Sequence, residues 1–420
     1  MAGEHAQRQV DRLTDEAVVD SRSRFRRLLT TRGFVALVAA NALAFGGDQM
    51  RIAAQSWWIL DEGGSNTAVG LAAGLRVVPV VMISLYAGLM IDRFGGKRVL
   101  LVGQSLLIAL ALATALVLLS DWARVWHIVA LSTVAGATIA IGYPATQALV
   151  PEIVPTELRP AGNLLNQIGP SAGRTLGPML VGILIAVRNA ATAFFGLTAV
   201  YVAAVVTISR LPSGRTRAAA PGSAIQQIAD GIRYIRQTPV LFWLLFLMMF
   251  SYIFWGMVMP LVPAVAVRVL DTSEVQFAWM WGGISIGQTS VAILLASLGG
   301  IRRNGAAMVA AALIFSPCLI LFGLTHTYML ALLYLVGIGL AFPLWIAAGA
   351  TLLQNFTAPE YRGRVMAVYG IALQSLSISW LLGGWLIDVI GIFPTVLVAL
   401  GGGWTVQMTA MIASKELRSS

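Results

Sequence analysis

The chain has 420 residues, of which 58% are hydrophobic and only 11% are charged, against roughly 25% charged in a soluble globular domain. Its formal charge of +10 does not indicate nucleic acid, because basic residues on so apolar a chain are typical of the cytoplasmic side of a membrane protein. The single cysteine, Cys318, excludes a disulfide framework and a multi-cysteine metal site.

Apolar segments recur along the whole chain, each long enough for the roughly 20 residues that span a membrane as a helix. The first, from Gly33 to Leu60, is too long for the apolar core of a signal peptide and contains Asp48 and Arg51, so we expect an uncleaved span. The pattern predicts an all-α integral membrane protein of twelve transmembrane helices. The predicted spans are 33–60, 66–91, 98–120, 124–149, 162–187, 190–210, 238–267, 275–298, 305–324, 327–353, 364–389 and 392–413.

An internal repeat divides these spans into two similar six-helix bundles. "PEIVPTELRP" follows the fourth span and "APEYRGRV" the tenth, and the pair Glu157 and Arg159 recurs as Glu360 and Arg362. The predicted organisation is a basic tail, an N-terminal bundle, a linker, a C-terminal bundle and a short tail, at 1–32, 33–210, 211–237, 238–413 and 414–420. Within the linker, Ile225, Ile228, Ile232 and Ile235 recur every three or four residues, which predicts an amphipathic helix on the cytoplasmic surface; the alternative is an ordinary half-buried linker helix.

The basic residues predict the orientation. If the N-terminus is cytoplasmic, 22 of the 28 Lys and Arg residues lie in inner segments, while only Arg124, Arg188 and Arg268 lie in outer connections. This asymmetry favours the twelve-span model with both termini in the cytoplasm. Alanine-rich composition and the use of arginine over lysine indicate a bacterium, so the expected location is the inner (plasma) membrane.

Charged residues inside spans are costly and therefore mark candidate sites. Asp48 is the only carboxylate deep in any predicted span, and Arg51, Arg76 and Arg174 are predicted at a similar depth. One interpretation is that Asp48 exchanges a proton, with Gly46 and Gly47 loosening the helix beside it; the other is a permanent ion pair with an arginine. Three arginines against one acid leave excess positive charge, which either backbone carbonyls or an anionic group on a cargo would balance. Arg76 and Arg174 are the candidates for contacting the cargo; the alternative for Arg76 is that it only braces span two against its neighbours.

The connection between the second and third spans reads "GLMIDRFGGKR". Asp92 ends a span and can face the N-terminal end of another helix, whose free N–H groups favour a carboxylate. The stretch resembles the loop motif of the major facilitator superfamily, G-x-x-x-D-R/K-x-G-x-R/K-R/K, at every specified place. The matching residues are Gly88, Asp92, Arg93, Gly95, Lys97 and Arg98.

Two further stretches carry the resemblance. "GRTLGPMLVG" in the fifth span is similar to the superfamily's antiporter motif through Gly173, Gly177, Pro178 and Gly182, although Val181 stands before the last glycine. "ADGIRYIRQTPVL" resembles the helix before span seven in the enterobactin-exporter-like branch of bacterial drug and siderophore exporters. The resemblance covers the chain from about residue 25 onward.

The resemblance implies how a transport cycle would use these residues. Asp92 would hold the cytoplasmic side shut against span eleven, which begins near Arg364, while Arg93, Lys97 and Arg98 would pair with acids; the alternative is a loop that only anchors the topology. Spans one, four, seven and ten would line a central cavity. The candidate lining residues, besides Asp48, are Asn41, Tyr143, Gln147, Tyr252, Trp255 and Trp345.

Other chemistries have no support in the sequence. There is no phosphate-binding loop for ATP, the three histidines show no metal-ligand spacing, and no catalytic triad can be argued, so we expect neither an enzyme nor a bound cofactor. The predicted function is secondary active export of amphipathic small molecules such as drugs, siderophores or secondary metabolites, driven by a proton gradient. The expected partners are that cargo, which an anionic group would suit, and membrane lipid. The protein itself is expected to be a monomer. An importer, a lysolipid flippase and a receptor or scaffold that transports nothing remain alternatives, because a fold does not fix function.

Overall fold

The computed structural model describes residues 27–31, 33–159, 162, 166, 168–212, 224–297, 301 and 303–413. This part of the chain is helical and contains no strand. The first half contains α1 (Phe34–Asp61), α2 (Asn66–Gly74), α3 (Val77–Phe94), α4 (Gly96–Leu118), α5 (Val125–Ile153), α6 (Ile168–Val187) and α7 (Ala190–Ser209). The predicted amphipathic linker helix is present as α8 (Ala224–Gln237).

The second half repeats the arrangement. Its helices are α9 (Pro239–Gly256), α10 (Val258–Arg268), α11 (Glu274–Ser297), α12 (Asn304–Leu324), α13 (Tyr328–Phe356), α14 (Arg362–Leu373), α15 (Ser375–Ile390) and α16 (Ile392–Ala413). Three predicted spans are each formed by two helices, α2 with α3, α9 with α10, and α14 with α15. The turns between them, at Arg76, Met257 and Gln374, keep helical dihedral angles, so each pair still forms one span.

Eleven helical stretches in the described ranges are long and apolar enough to cross a membrane. The remaining span is α1, which is 28 residues long and carries Asp48 and Arg51 in its middle. The fold is therefore the predicted one, twelve transmembrane helices in two pseudo-symmetric six-helix bundles.

The repeat is visible at the end of the fourth span of each half. Arg159 donates to the carbonyl of Pro151 at 2.9 Å, and Arg362 donates to the carbonyl of Thr357 at 3.3 Å. Each arginine thus satisfies a carbonyl that the end of the preceding helix, α5 or α13, leaves without an intrahelical partner.

An even number of spans places both ends of the described chain on one side, here called the termini face; the opposite side is the far face. The two halves meet mainly through α6 with α11 and α2 with α15. The α6 and α11 contact runs from Gly182, against Glu274 near the far face, to Thr175, whose hydroxyl lies 3.5 Å from that of Thr289. The contact between the halves is therefore concentrated toward the far face.

Candidate functional site

Asp48 lies in the middle of α1 and is bound by two arginines. Its Oδ1 atom accepts a hydrogen bond from Arg51 at 2.5 Å, and both carboxylate oxygens lie 3.3 Å from Nη1 of Arg76. The side chains of Asp48, Arg51 and Arg76 are 27%, 6% and 18% exposed. The three residues, predicted at a similar depth, thus form one cluster with a formal net charge of +1.

Arg51 extends the cluster into the interior of the first half. Its Nη1 donates to Gln55 at 3.3 Å and to the Ser132 hydroxyl of α5 at 3.2 Å, and that hydroxyl donates to Gln55 in turn. A crevice beside Arg51, lined also by Thr114, Ser132 and Tyr201, has room for roughly one water molecule. These groups provide polar contacts to a charge that is otherwise expensive at this depth.

The glycines beside Asp48 allow close packing of α1 against its neighbours. A Cβ on Gly47 would lie 2.4 Å from Cε1 of Tyr201, a side chain of α7 that is completely buried. A Cβ on Gly46 would lie 3.3 Å from the backbone of Gly173 in α6. In this conformation α1 runs unbroken from Phe34 to Asp61, and a loosening of the helix at these glycines stays a prediction.

Arg76 lies at the turn that separates α2 from α3. The turn packs on α5, where a Cβ on Gly136 would lie 2.4 Å from the carbonyl oxygen of Arg76. The backbone of Arg76 is therefore held by α5 while its side chain reaches Asp48 on α1. One residue connects three spans.

Arg174 occupies a different environment from the other two arginines. It is exposed on α6, and its guanidinium carbon lies 5.4 Å from the centroid of the Phe45 ring, within the range of a cation–π interaction. Its backbone carbonyl accepts a hydrogen bond from Ser285 of α11 at 3.0 Å. Arg174 therefore presents positive charge beside Phe45, which precedes Asp48 by three residues on α1, where α6 meets the second half.

The predicted aromatic lining of the second half is buried instead. Tyr252, Trp255 and Trp345 are 0%, 2% and 2% exposed. Trp255 packs on Trp345 at 4.7 Å and on Phe315 at 4.3 Å between ring centroids, and the Tyr252 and Tyr369 hydroxyls are 2.9 Å apart. In this conformation the three residues do not line a cavity, because helices of their own half cover them.

Of the lining candidates in the first half, Asn41 is also buried, at 4% exposure. Its amide donates to Asn166 at 2.7 Å and accepts from Thr146 of α5 at 3.2 Å, so it connects neighbouring helices and faces no open space. The side chains of Tyr143 and Gln147 lie outside the described residues.

The loop motif forms a tight turn that is attached to α7. Gly95, with a φ of 82°, ends α3 in a backbone conformation that favours glycine. Lys97 was expected to pair with acids; it instead donates to the carbonyls of Ser209, at 2.8 Å, and Leu211. This is the favourable place for a cation, because the last carbonyls of a helix lack intrahelical donors.

For the other charged residues of the motif, Arg93, Arg98 and Asp92, the structure gives fewer contacts. Arg93 lies 5.4 Å from the Phe94 ring centroid and Arg98 is exposed. Gly88 lies within α3, and the side chain of Asp92 lies outside the described part, so the contact of Asp92 with α14 stays a prediction. Arg364, at the start of α14, lies 3.7 Å from Asp230 of the linker helix α8.

The glycines of the antiporter-like motif form two packing faces on α6. Added Cβ atoms on Gly173 and Gly177 would lie 2.3 and 2.4 Å from the carbonyl oxygens of Ala42 and Gly46 in α1. A Cβ on Gly182 would instead lie 2.4 Å from Cβ of Ala278 in α11, across the boundary between the halves. Pro178 lies buried between the two faces. The motif therefore brings α6 close to one helix of each half.

Sequence reasoning missed the polar partners of Arg51. Gln55 lies one turn after Arg51 on the same helix, so the spacing of four residues would have revealed it. Ser132 and Tyr201 stand on other spans without any local signal, and only the folded arrangement brings them to this site.

The fold and the buried charged cluster define a class of protein, the twelve-span membrane transporters, rather than an enzyme. The family model described as "Major Facilitator Superfamily" matches residues 37–381. The chain belongs to the major facilitator superfamily and is a multi-pass membrane protein.

Similar proteins include two kinds of efflux protein. The multidrug efflux pump Tap of Mycolicibacterium fortuitum is 24% identical over 384 residues, which cover 88% of this chain and 92% of the relative. Macrolide efflux protein A of Streptococcus pyogenes is 25% identical over 353 residues, covering 80% and 84%. These relatives agree with the resemblance to the drug-efflux branch.

Solved structures share the fold. The nucleoside transporter NupG superimposes with a TM-score of 0.69 at 12% identity, covering 91% of this chain and 99% of that one. A D-xylose-proton symporter gives a TM-score of 0.70 at 15% identity, covering 91% and 97%. At these identities the likeness concerns the fold alone.

Proposed function

We propose that this transporter exports amphipathic small molecules in exchange for protons, with Asp48 as the proton-accepting group. The observation that carries the proposal is the position of Asp48, a carboxylate deep in a span, partly exposed and bound by two arginines. The efflux activity named for both kinds of relative supports the direction of transport. With the termini in the cytoplasm of a bacterial cell, as the basic residues predict, the protein would lie in the plasma membrane.

The conformation has a defined place in such a cycle. Because the halves contact each other mainly toward the far face, this state would be closed to the outside and accessible from the cytoplasm. An exporter loads cargo in this state and releases the cargo after the far face opens.

Protonation of Asp48 would change the cluster in a specific way. A neutral carboxyl group no longer attracts Arg51 and Arg76 as ions, which would leave two cations beside the same uncharged group at a depth where unpaired charge is costly. Arg51 would keep its hydrogen bonds to Gln55 and Ser132, whereas the side chain of Arg76 is bound by Asp48 itself. Arg76, and with it the α2 to α3 turn, is therefore the part of the cluster that responds most to the proton.

The same charges favour an anionic or zwitterionic cargo. The cluster carries a net +1, and exposed Arg174 adds positive charge near Phe45, which offers an apolar surface beside it. An amphipathic molecule with one acidic group would find both an ionic and an apolar partner there. In this proposal the transporter acts as a monomer surrounded by membrane lipid.

The test is proton movement in reconstituted vesicles for the parent protein, Asp48→Asn, Asp92→Asn and Asp121→Asn, with a panel of lipophilic anions, cations and a macrolide. Asp121 is an exposed acid in a far-face loop and serves as the matched control. We expect cargo-triggered proton flux to disappear in Asp48→Asn and to persist in Asp121→Asn, with anions as the better cargo. If Asp48→Asn transports normally, the ion pair is permanent and structural, and the proposal is wrong.

A further inference from the structure

A carboxylate near the far face joins the two halves of the molecule. Asp388, near the end of α15, accepts hydrogen bonds from the backbone N–H groups of Asn66 at 3.1 Å and Thr67 at 2.7 Å. The side chains of the same two residues also donate to it, at 2.8 and 2.7 Å. Arg268, at the end of α10, lies 3.5 Å from Asp388 and donates to the carbonyl of Gly64 at 3.5 Å. These residues, Asn66, Thr67, Arg268 and Asp388, are called the far-face latch.

The far-face latch completes the N-terminus of α2 with a group from the other half. The first N–H groups of a helix have no intrahelical acceptor, and a carboxylate there is favoured by hydrogen bonding and by the helix dipole. Ser65 caps only the N–H of Ala68, at 3.1 Å. The N–H groups of Asn66 and Thr67 take their acceptor from Asp388, more than 300 residues further along the chain.

The backbones beside the far-face latch are in direct contact. A Cβ on Gly384 of α15 would lie 2.3 Å from the carbonyl oxygen of Asn66, and one on Gly70 of α2 would lie 2.5 Å from that of Trp380. The two helices cannot separate at this point without exposing both N–H groups and the Asp388 carboxylate. The hydrogen bonds from Asn66 and Thr67 to Asp388 are therefore made or lost together, whereas the Arg268–Asp388 ion pair lies within the second half.

We propose that Asp388, by capping α2 from the opposite half, is the main polar contact that holds the far face closed. Opening of the far face exchanges these charge-assisted hydrogen bonds for bonds to water, so the far-face latch shifts the equilibrium toward the closed state. The inference depends on the fold and its two halves, and it holds whatever the cargo, the coupling ion or the direction of transport.

The test measures the distance between spin labels on the far face by pulsed electron paramagnetic resonance in lipid nanodiscs. The labels replace Asp121 of the first half and His326 of the second, both exposed, in a Cys318→Ser background that removes the one native cysteine. The parent is compared with Asp388→Asn, Thr67→Val and Arg268→Gln. Glu62→Gln, which removes an exposed acid of the neighbouring loop, is the matched control for lost negative charge.

We expect Asp388→Asn to raise the ratio of long to short distances about tenfold, the change that follows from weakening hydrogen bonds to a charged group. Thr67→Val and Arg268→Gln should raise it less, because each removes one hydrogen bond between the halves, to Asp388 and to the Gly64 carbonyl respectively, and Glu62→Gln should leave it unchanged. If Asp388→Asn does not fold, the distance ratios of Thr67→Val and Arg268→Gln test the proposal instead. Distance distributions that equal the parent's in every folded variant of the far-face latch, or that change as much in Glu62→Gln, would overturn the proposal.

Discussion

At the scale of single residues, space beside Asp48 is as important as charge. Gly47 is adjacent to the acid, and the buried Tyr201 ring fills the volume that a side chain at 47 would need. Tyr201 also lines the crevice beside Arg51, so its position affects the environment of the ion pair. The absence of a side chain at 47 is thus part of the site.

We therefore predict that Gly47→Ala destabilises the protein although alanine is the better helix former. The added Cβ would lie 2.4 Å from Tyr201, and overpacking of a closed interior costs about 1–3 kcal/mol. Gly401→Ala, in α16, is the control, because no heavy atom lies within 4 Å of the added Cβ and helix propensity alone favours alanine by about 1 kcal/mol. Thermal unfolding in one detergent should show a lower midpoint for the first variant and an equal or higher one for the second. Equal midpoints for Gly47→Ala and the parent would show that Tyr201 can move aside.

At the scale of helices, α6 is the element that both halves share. Its Gly173 and Gly177 face α1 of the same half, while Gly182 faces α11 of the other half. Substitutions on the two faces of one helix should therefore have different consequences, one for the integrity of a bundle and one for the contact between bundles.

Gly173→Ala is expected to lower stability, because its Cβ would meet backbone atoms of Ala42 and Gly46 that cannot move without shifting α1. Gly182→Ala is expected to weaken the contact with Ala278 and Glu274, and so to populate the state in which the far face is open. Unfolding midpoints and the distance between labels at positions 121 and 326 separate the two effects. An unchanged distance distribution in Gly182→Ala would show that α6 and α11 separate without passing this contact.

At the scale of the whole molecule, the sequence predicts what depends on composition and spacing. The twelve spans and the linker helix follow from apolar runs and from periodicity, and the structure confirms them, with helix interruptions at Arg76, Met257 and Gln374. The cluster of Asp48, Arg51 and Arg76 could be predicted, because the depth of a residue in a span can be counted from the end of the helix.

Contacts that depend on helix rotation and conformational state could not be predicted in the same way. Trp255 and Trp345 belong to spans that the family resemblance assigns to a cavity, yet the faces they occupy point into their own bundle. Lys97 carries no sign in the sequence that it binds the end of α7. In the sequence, Asp388 is simply an acid near the end of a predicted span, with no sign of a partner. Only the closed far face brings α2 to it.

The orientation of the whole molecule follows from charge, and it decides which face loads cargo. The unequal distribution of Lys and Arg predicts cytoplasmic termini, which would make the far face extracellular. In a Cys318→Ser background, a membrane-impermeant maleimide applied to intact cells should then label a cysteine that replaces Asp121, in a far-face loop, and not one that replaces Glu157, on the termini face. Both positions are exposed, so labelling of both in broken cells is the control for reactivity. The reverse pattern would place the open side of this state outside the cell, and the conformation would then bind cargo from the medium, as an importer does.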